Sequence, residues 1–129
     1  MISNFAYVTM IYGIGTDILQ ISRIAKIKNL ERFAKKILGI NEYNIYNTFS
    51  SDDYKIRYLA KRFCMKEAIL KSYGIGIGGK YKLNEIEILN DQSGKPFTIF
   101  LNKDTNKQCH ISTSDEKEYV VAFSVIESI

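Results

Sequence analysis

Glu67 sits where a carboxylate needs a partner. The segment from Ser50 to Gly79 reads SSDDYKIRYLAKRFCMKEAILKSYGIGIGG, and in it Ile56, Leu59, Ala60, Phe63 and Leu70 recur at helical spacing. They make one apolar stripe. At about 100° per residue, Glu67 falls in the middle of that stripe, between Phe63 and Leu70. An unpaired charge facing a core costs on the order of several kcal/mol. Two chemistries would compensate it. Lys71, one turn on, could form an ordinary i,i+4 ion pair. Alternatively a bound cation takes the carboxylate and leaves Lys71 to hold an anion. The helix by itself leaves both open.

The second carboxylate of interest is Asp17. Met10 to Gly15 (MIYGIG) reads as a strand ending in glycines, and Ile18, Ile21, Ile24 and Ala25 follow at helical spacing to about Lys28. Asp17 is therefore expected at a strand-to-helix junction, where its side chain would cap the helix through a backbone N–H. A second helical piece, Leu30 to Leu38, stops at Gly39, which suits the position just past a helix. Arg23, Lys26, Lys28, Arg32, Lys35 and Lys36 give these two helices a basic surface, either a solvated face or a dock for an acidic partner. Asn41 to Phe49 reads as a connector.

The long helix starts with Ser50 and Asp53 in a capping pattern and stops at Gly74. Tyr58, Met65 and Ile69 lie opposite the Glu67 stripe, so this helix wants two apolar partners, and in so short a chain another subunit could supply one. Arg57, Lys61, Arg62 and Lys66 are expected on its solvent flanks. Gly74-Ile75-Gly76-Ile77-Gly78-Gly79-Lys80 matches both G-x-G-x-x-G and G-x-x-x-x-G-K, yet both motifs need a strand before the glycines and a helix after. Here the order is reversed. Tyr81 also replaces the Ser or Thr of a P-loop. What survives is a turn whose N–H groups could approach a phosphate.

The C-terminal half is strand-like. Ile86 and Ile88 alternate with Glu85 and Glu87, Asn90 to Gly94 makes a turn, and Pro96 to Leu101, His110 to Ser114 and Tyr119 to Ile126 follow as strands. Consecutive hairpins imply antiparallel pairing. The fold class is α+β, an antiparallel sheet packed on a long central helix. Residues 1–9 read as an N-terminal extension and 10–129 as a single domain.

At 129 residues with 46% hydrophobic and 25% charged residues, the chain can bury one real core. Its net charge of +4 favours an acidic or phosphorylated partner. Cys64 and Cys109 form no CxxC pair and suit buried free thiols in a reducing cytosol; with His110 the only histidine, a zinc site of the usual Cys/His kind is not expected. No run is apolar enough to cross a membrane, and the first residues lack the pattern of a signal peptide.

Four segments then line up in order: GIGTDI around Asp17, RFCMKEAILKSYGIGIG around Glu67, SGKP at Ser93 to Pro96, and HISTSDE from His110. Together they resemble holo-acyl-carrier-protein synthase, the small bacterial type of 4′-phosphopantetheinyl transferase. The resemblance covers nearly the whole chain from Met10. It implies transfer of phosphopantetheine from coenzyme A to a serine of acyl carrier protein, releasing 3′,5′-ADP, in cytoplasmic fatty acid biosynthesis. It also implies Mg²⁺ held by Asp17 and Glu67, a donor set of the hard oxygen kind that this ion prefers. Lys71 matches the family lysine at the pyrophosphate, where it would assist the departing 3′,5′-ADP. Arg62 matches a basic residue at the nucleotide of coenzyme A. The turn with Gly74 and Gly76, together with Pro96, matches segments lining the cofactor pocket, and Ser114 and Asp115 match the last turn beside it. Glu67, or a metal-bound water it polarises, is the expected base.

One departure stands out. Many members carry histidine after the last serine, where this chain has Asp115, so a histidine-dependent step does not carry over. Asp115 either holds a metal-bound water or only forms the hairpin turn. The first helix, through Arg23, Lys26 and Arg32, is implied to meet an acidic helix of the carrier protein. A homotrimer with sites at subunit boundaries is implied too. The rival reading is a non-enzymatic module binding an acidic protein or nucleic acid through the same basic residues. It explains neither Glu67 nor the glycines, and no aromatics interleave with the basic residues as single-strand binders prefer.

Overall fold

The structure is a computed structural model that describes residues 9–74, 82–101 and 106–129. Strand β1 (Met10–Gln20) leads through short helices α1 (Ile21–Ala25), α2 (Leu30–Ile37) and α3 (Ile40–Tyr46) into the long helix α4 (Asp52–Tyr73). A single 3-10 turn (Leu83–Glu85) then precedes β2 (Ile86–Asn90), β3 (Pro96–Phe100), β4 (Lys107–Asp115) and β5 (Tyr119–Ser128). The strands form two antiparallel sheets among the described residues, one ordered β1-β5-β4 and the other the hairpin β2-β3. The α+β class with a sheet packed on the long helix holds, with the first strand pairing to the last.

α4 is capped at both ends. The Ser51 side chain accepts the Tyr54 N–H, one residue past the expected cap, and Gly74 ends the helix in the left-handed region at φ 73°. Leu59, Ala60, Cys64, Met65, Ala68 and Ile69 are fully buried in the core between this helix and the sheets. Met65 and Ile69 thus lie inside the same chain, which corrects the expectation that this face needs another subunit. α2, α3 and the β2-β3 hairpin supply the second partner.

β1 lies close against α4 because it carries glycines where the two cross. A Cβ at Gly15 would collide with the Ala68 carbonyl oxygen and lie 2.6 Å from the Ser72 nitrogen; one at Gly13 would collide with the Ser72 oxygen. Two residues further along, Asp17 faces Cys64, whose thiol donates to the Asp17 carbonyl at 3.5 Å. Each inward step along the strand moves about one turn down the helix, which fixes where Asp17 arrives.

The short helices differ from expectation. Asp17 is not a helix cap: β1 continues to Gln20, Asp17 pairs with Ala122, and α1 begins at Ile21 without a side-chain cap. α1 ends at Ala25 rather than near Lys28. Gly39 does not stop α2 but is the N-cap of α3, a helix in the stretch read as a connector. Its φ of −74° is ordinary; what requires glycine is Glu87, whose Oε2 would lie 2.5 Å from a Cβ.

Candidate functional site

Three of the chemistry-bearing residues meet where β1 crosses α4. Lys71 Nζ lies 3.0 Å from Asp17 Oδ1 and donates to the Thr16 carbonyl at 3.0 Å. Glu67 is half-buried on the same side of the helix and has no hydrogen-bond partner among the described residues. Burial, and then the nearby Asp17 carboxylate, hold its pKa above the ordinary value, while Lys71 opposes the shift. Of the two candidates for Glu67, the Lys71 ion pair is not formed: Lys71 pairs with Asp17 instead. Beside them, burial and then Asp17 push the Cys64 thiol up to about 12, so it is inert at neutral pH.

This cluster fits a hard divalent cation. Two carboxylates converge, one of them half-buried, unbonded and repelled by the other, which is a donor set that a cation with water and phosphate as further ligands satisfies. No group of three or more His, Cys, Asp or Glu residues gathers among the described residues, so an all-protein cage is absent there.

Along the first half of α4, a cavity of about 1090 Å³ opens between α3, α4 and the β2-β3 hairpin. Arg57, Lys61 and Arg62 bring positive charge to it, and Tyr54, Tyr58, Phe49 and Phe97 bring aromatic surface. Pro96 and Gly94 form its edge on the hairpin, and Thr113 and Asp115 its edge on β4. Thr113 pairs with Ala122, which pairs with Asp17, so cavity and carboxylates share one row of the sheet. Asp115 lies 3.3 Å from Lys61 Nζ and 3.8 Å from Arg57 Nη1. It is also the last residue of β4, where the turn to β5 begins, so it ends the strand and faces two cations at once.

Arg62 and Lys66 are not on a solvent flank, contrary to expectation. Lys66 is fully buried and pairs with Glu42 at 2.6 Å, also donating to the Ile37 and Leu83 carbonyls. Arg62 is 5% exposed, donates to Asn90 Oδ1 at 2.6 Å and stacks on Tyr58 at 4.5 Å. Burial lowers the Lys66 pKa, and Glu42 opposes that shift. Glu87, placed outward by simple alternation, is buried and accepts from Asn41 N at 2.7 Å and Asn41 Nδ2 at 2.9 Å.

A cationic, aromatic cavity suits a phosphorylated ligand, and comparison with known proteins identifies the family. A family model described as the 4′-phosphopantetheinyl transferase superfamily matches residues 13–124. The chain belongs to this superfamily. A holo-[acyl-carrier-protein] synthase of Ligilactobacillus salivarius is 43% identical over 122 residues, covering 93% of this chain and 90% of the relative. One from Bacillus pumilus is 40% identical over 121 residues, covering 93% and 98%. A solved holo-(acyl-carrier-protein) synthase of Bacillus anthracis, in complex with CoA (3′,5′-ADP), superposes with a TM-score of 0.83 at 39% identity, covering 93% of this chain and 99% of that one.

Within this transferase chain the expected site residues fall into separate groups. Asp17, Glu67 and Lys71 meet at the crossing, while Arg62, Pro96 and Asp115 share the cavity. Gly74 caps α4 outside the cavity wall, and Gly76 lies outside the described residues. Ser114 opens instead onto the outer face of the sheet, in a small pocket with Thr16, Ser112 and Phe123. Arg23, Lys26 and Arg32 are exposed on α1, at its end and on α2. Sequence reading missed Glu42, Glu87 and Asn90. The only local signal was an acid in the first turn of an unrecognised helix.

Proposed function

We propose that the protein is a holo-[acyl-carrier-protein] synthase. It moves 4′-phosphopantetheine from coenzyme A to a serine of apo-acyl carrier protein, releases 3′,5′-ADP and serves fatty acid biosynthesis in the cytoplasm. The observation that carries this reading is the convergence of Asp17, Glu67 and Lys71 at the β1–α4 crossing, on the same helix that lines a cationic cavity of nucleotide size.

Mg²⁺ on Asp17 and Glu67 would supply charge neutralisation at the pyrophosphate. Arg57, Lys61 and Arg62 bind the phosphates of the nucleotide, and the aromatic wall takes its apolar surface. Asp115 sits against Lys61 and Arg57, which offset the repulsion an acid would otherwise exert beside phosphates. The serine hydroxyl attacks the β-phosphorus, its proton passes to the Glu67 carboxylate, and the phosphoanhydride bond to 3′,5′-ADP breaks. Glu67 makes no hydrogen bond among the described residues, which leaves a carboxylate oxygen open to that proton. Of the three donors on Lys71 Nζ, two are used by Asp17 and Thr16; the third is available to the departing phosphate.

Carrier protein docks on the exposed basic residues Arg23, Lys26 and Arg32. The active form is a homotrimer with sites at subunit boundaries, a reading supported by the outer face of the β1-β5-β4 sheet. There Ile14, Ile18, Val121 and Phe123 lie 61%, 63%, 41% and 48% exposed and form one apolar surface.

Mixing the protein with coenzyme A, Mg²⁺ and an apo-acyl carrier protein should add the mass of one phosphopantetheine to the carrier. An unchanged carrier mass, with the protein folded and coenzyme A intact, overturns the assignment and leaves the polyanion-binding module.

A further inference from the structure

One of the fully buried charges among the described residues is used by none of the steps above. Glu42, at the start of α3, is fully buried and joins all three walls of the cavity. Its Oε1 accepts the Gly39 N–H at 2.9 Å and the Lys66 ammonium at 2.6 Å. Its Oε2 accepts the Ile88 N–H of β2 at 2.9 Å and lies 3.7 Å from Arg62 Nε. Its own carbonyl accepts the Tyr58 hydroxyl at 3.3 Å. One residue thus touches α3, α4 and β2.

Arg62 is the cavity cation that this arrangement controls. Its Nε is buried without a hydrogen-bond partner, so the Glu42 carboxylate holds it by charge and proximity rather than by a direct bond. Asn90 takes Nη2, and Asn90 in turn donates to the Gly94 carbonyl of the hairpin turn. Tyr58, itself tied to Glu42, stacks on the guanidinium face. A long side chain with several rotatable bonds is thereby fixed at the cavity wall before any ligand arrives, and a fixed donor loses less entropy on binding an anion.

Burying a charge pair for stability alone is a poor bargain, because the desolvation cost can exceed the Coulombic gain and an apolar replacement is often neutral. We propose that Glu42 is a positioning residue: through Arg62 and Tyr58 it preorganises the cavity for the phosphates of its nucleotide ligand, with Lys66 balancing its charge. This rests on the reading above that the cavity receives coenzyme A.

Glu42→Gln alone leaves Lys66 buried without its counter-charge and would threaten folding. The test therefore uses the paired replacement Glu42→Gln with Lys66→Met, which keeps net charge and roughly keeps volume. It is combined with Arg62→Met in a double-mutant cycle, reading coenzyme A binding by calorimetry alongside thermal melts. The paired replacement should melt as a folded protein and bind coenzyme A roughly tenfold more weakly, on the scale of one lost charge-assisted contact. Adding Arg62→Met to it should weaken binding far less than Arg62→Met does in the wild type. In turnover, KM for coenzyme A should rise while KM for the carrier stays put. Additive losses, or unchanged binding in the paired replacement, overturn the positioning role. Absence of coenzyme A binding by the wild type would instead overturn the functional reading itself.

Discussion

Lys71 pairs across the helix–strand crossing with Asp17, at 3.0 Å, rather than with Glu67 one turn back on its own helix. The consequence is that Glu67 is left without a partner of its own among the described residues. A half-buried carboxylate with a neighbouring acid and no bond to offset burial is destabilising when ionised.

That gives a prediction with a sign. Because the folded pKa of Glu67 is raised, the native state holds this proton more tightly than the unfolded chain does. Stability from this group is present at low pH and is lost as pH rises from the unfolded value through the folded one. Glu67→Gln should therefore melt higher than wild type at neutral pH without Mg²⁺, and the difference should shrink below about pH 4, near the ordinary carboxylate value. Its turnover should fall by roughly a hundredfold or more, the scale of a lost acid–base group. Near-normal turnover would remove Glu67 from the chemistry.

The glycine crossing is a second target. Gly15→Ala puts a methyl against the Ala68 carbonyl oxygen and the Ser72 nitrogen, both of them backbone and unable to swing aside. The helix must move off the strand, at a cost of roughly 1–3 kcal/mol or somewhat more. Since Asp17 and Glu67 are carried on the two separating elements, activity should fall further than stability does. Denaturant titration beside a coenzyme A turnover assay checks both, and an unchanged midpoint would refute the close-packing account.

Carrier recognition should separate from coenzyme A recognition. Arg23 is exposed on α1, away from the cavity wall. Arg23→Glu should raise KM for the carrier by about tenfold and leave KM for coenzyme A little changed, as reversal of a rim charge does. Added salt should weaken carrier binding more in the wild type than in the variant. Equal effects on the two substrates would exclude this docking surface.

Assembly is tested on the sheet rather than on α4. Met65 and Ile69 are buried within the chain, so a charge there would unfold the protein and report nothing about subunits. Phe123 stands 48% exposed in the apolar outer face of β5. Phe123→Asp should give a folded monomer by light scattering, with activity lost alongside the trimer. A wild type that is monomeric and fully active at assay concentration would end the shared-site account.

Several features were legible from local pattern alone: a long capped helix ending at Gly74, strands over the C-terminal third, and a carboxylate set on the apolar stripe. Each depends on residues within a few positions of one another, and period and capping encode that range directly. Asp17 was legible as a residue of interest but not as a strand residue, because what keeps β1 extended past it is pairing with β5, the far end of the chain.

The tertiary structure decided which charges go inside. Alternation put Glu87 in solvent, but β2 is covered on both faces, with Ile86, Glu87 and Ile88 all buried. Helical phase put Lys66 and Arg62 on a polar flank, yet α2, α3 and the hairpin close over that flank. A charged side chain can be buried only where its counter-charge and hydrogen-bond partners arrive together, and here Glu42, Asn90 and the Ile37 and Leu83 carbonyls come from four separate segments. The sequence by itself determined the helix, the strands and the types of residue able to do chemistry. Only folding decided that Lys71 answers Asp17, that Glu67 is left to something else, and that Glu42 stands behind Arg62, because each depends on contacts between segments distant in the chain.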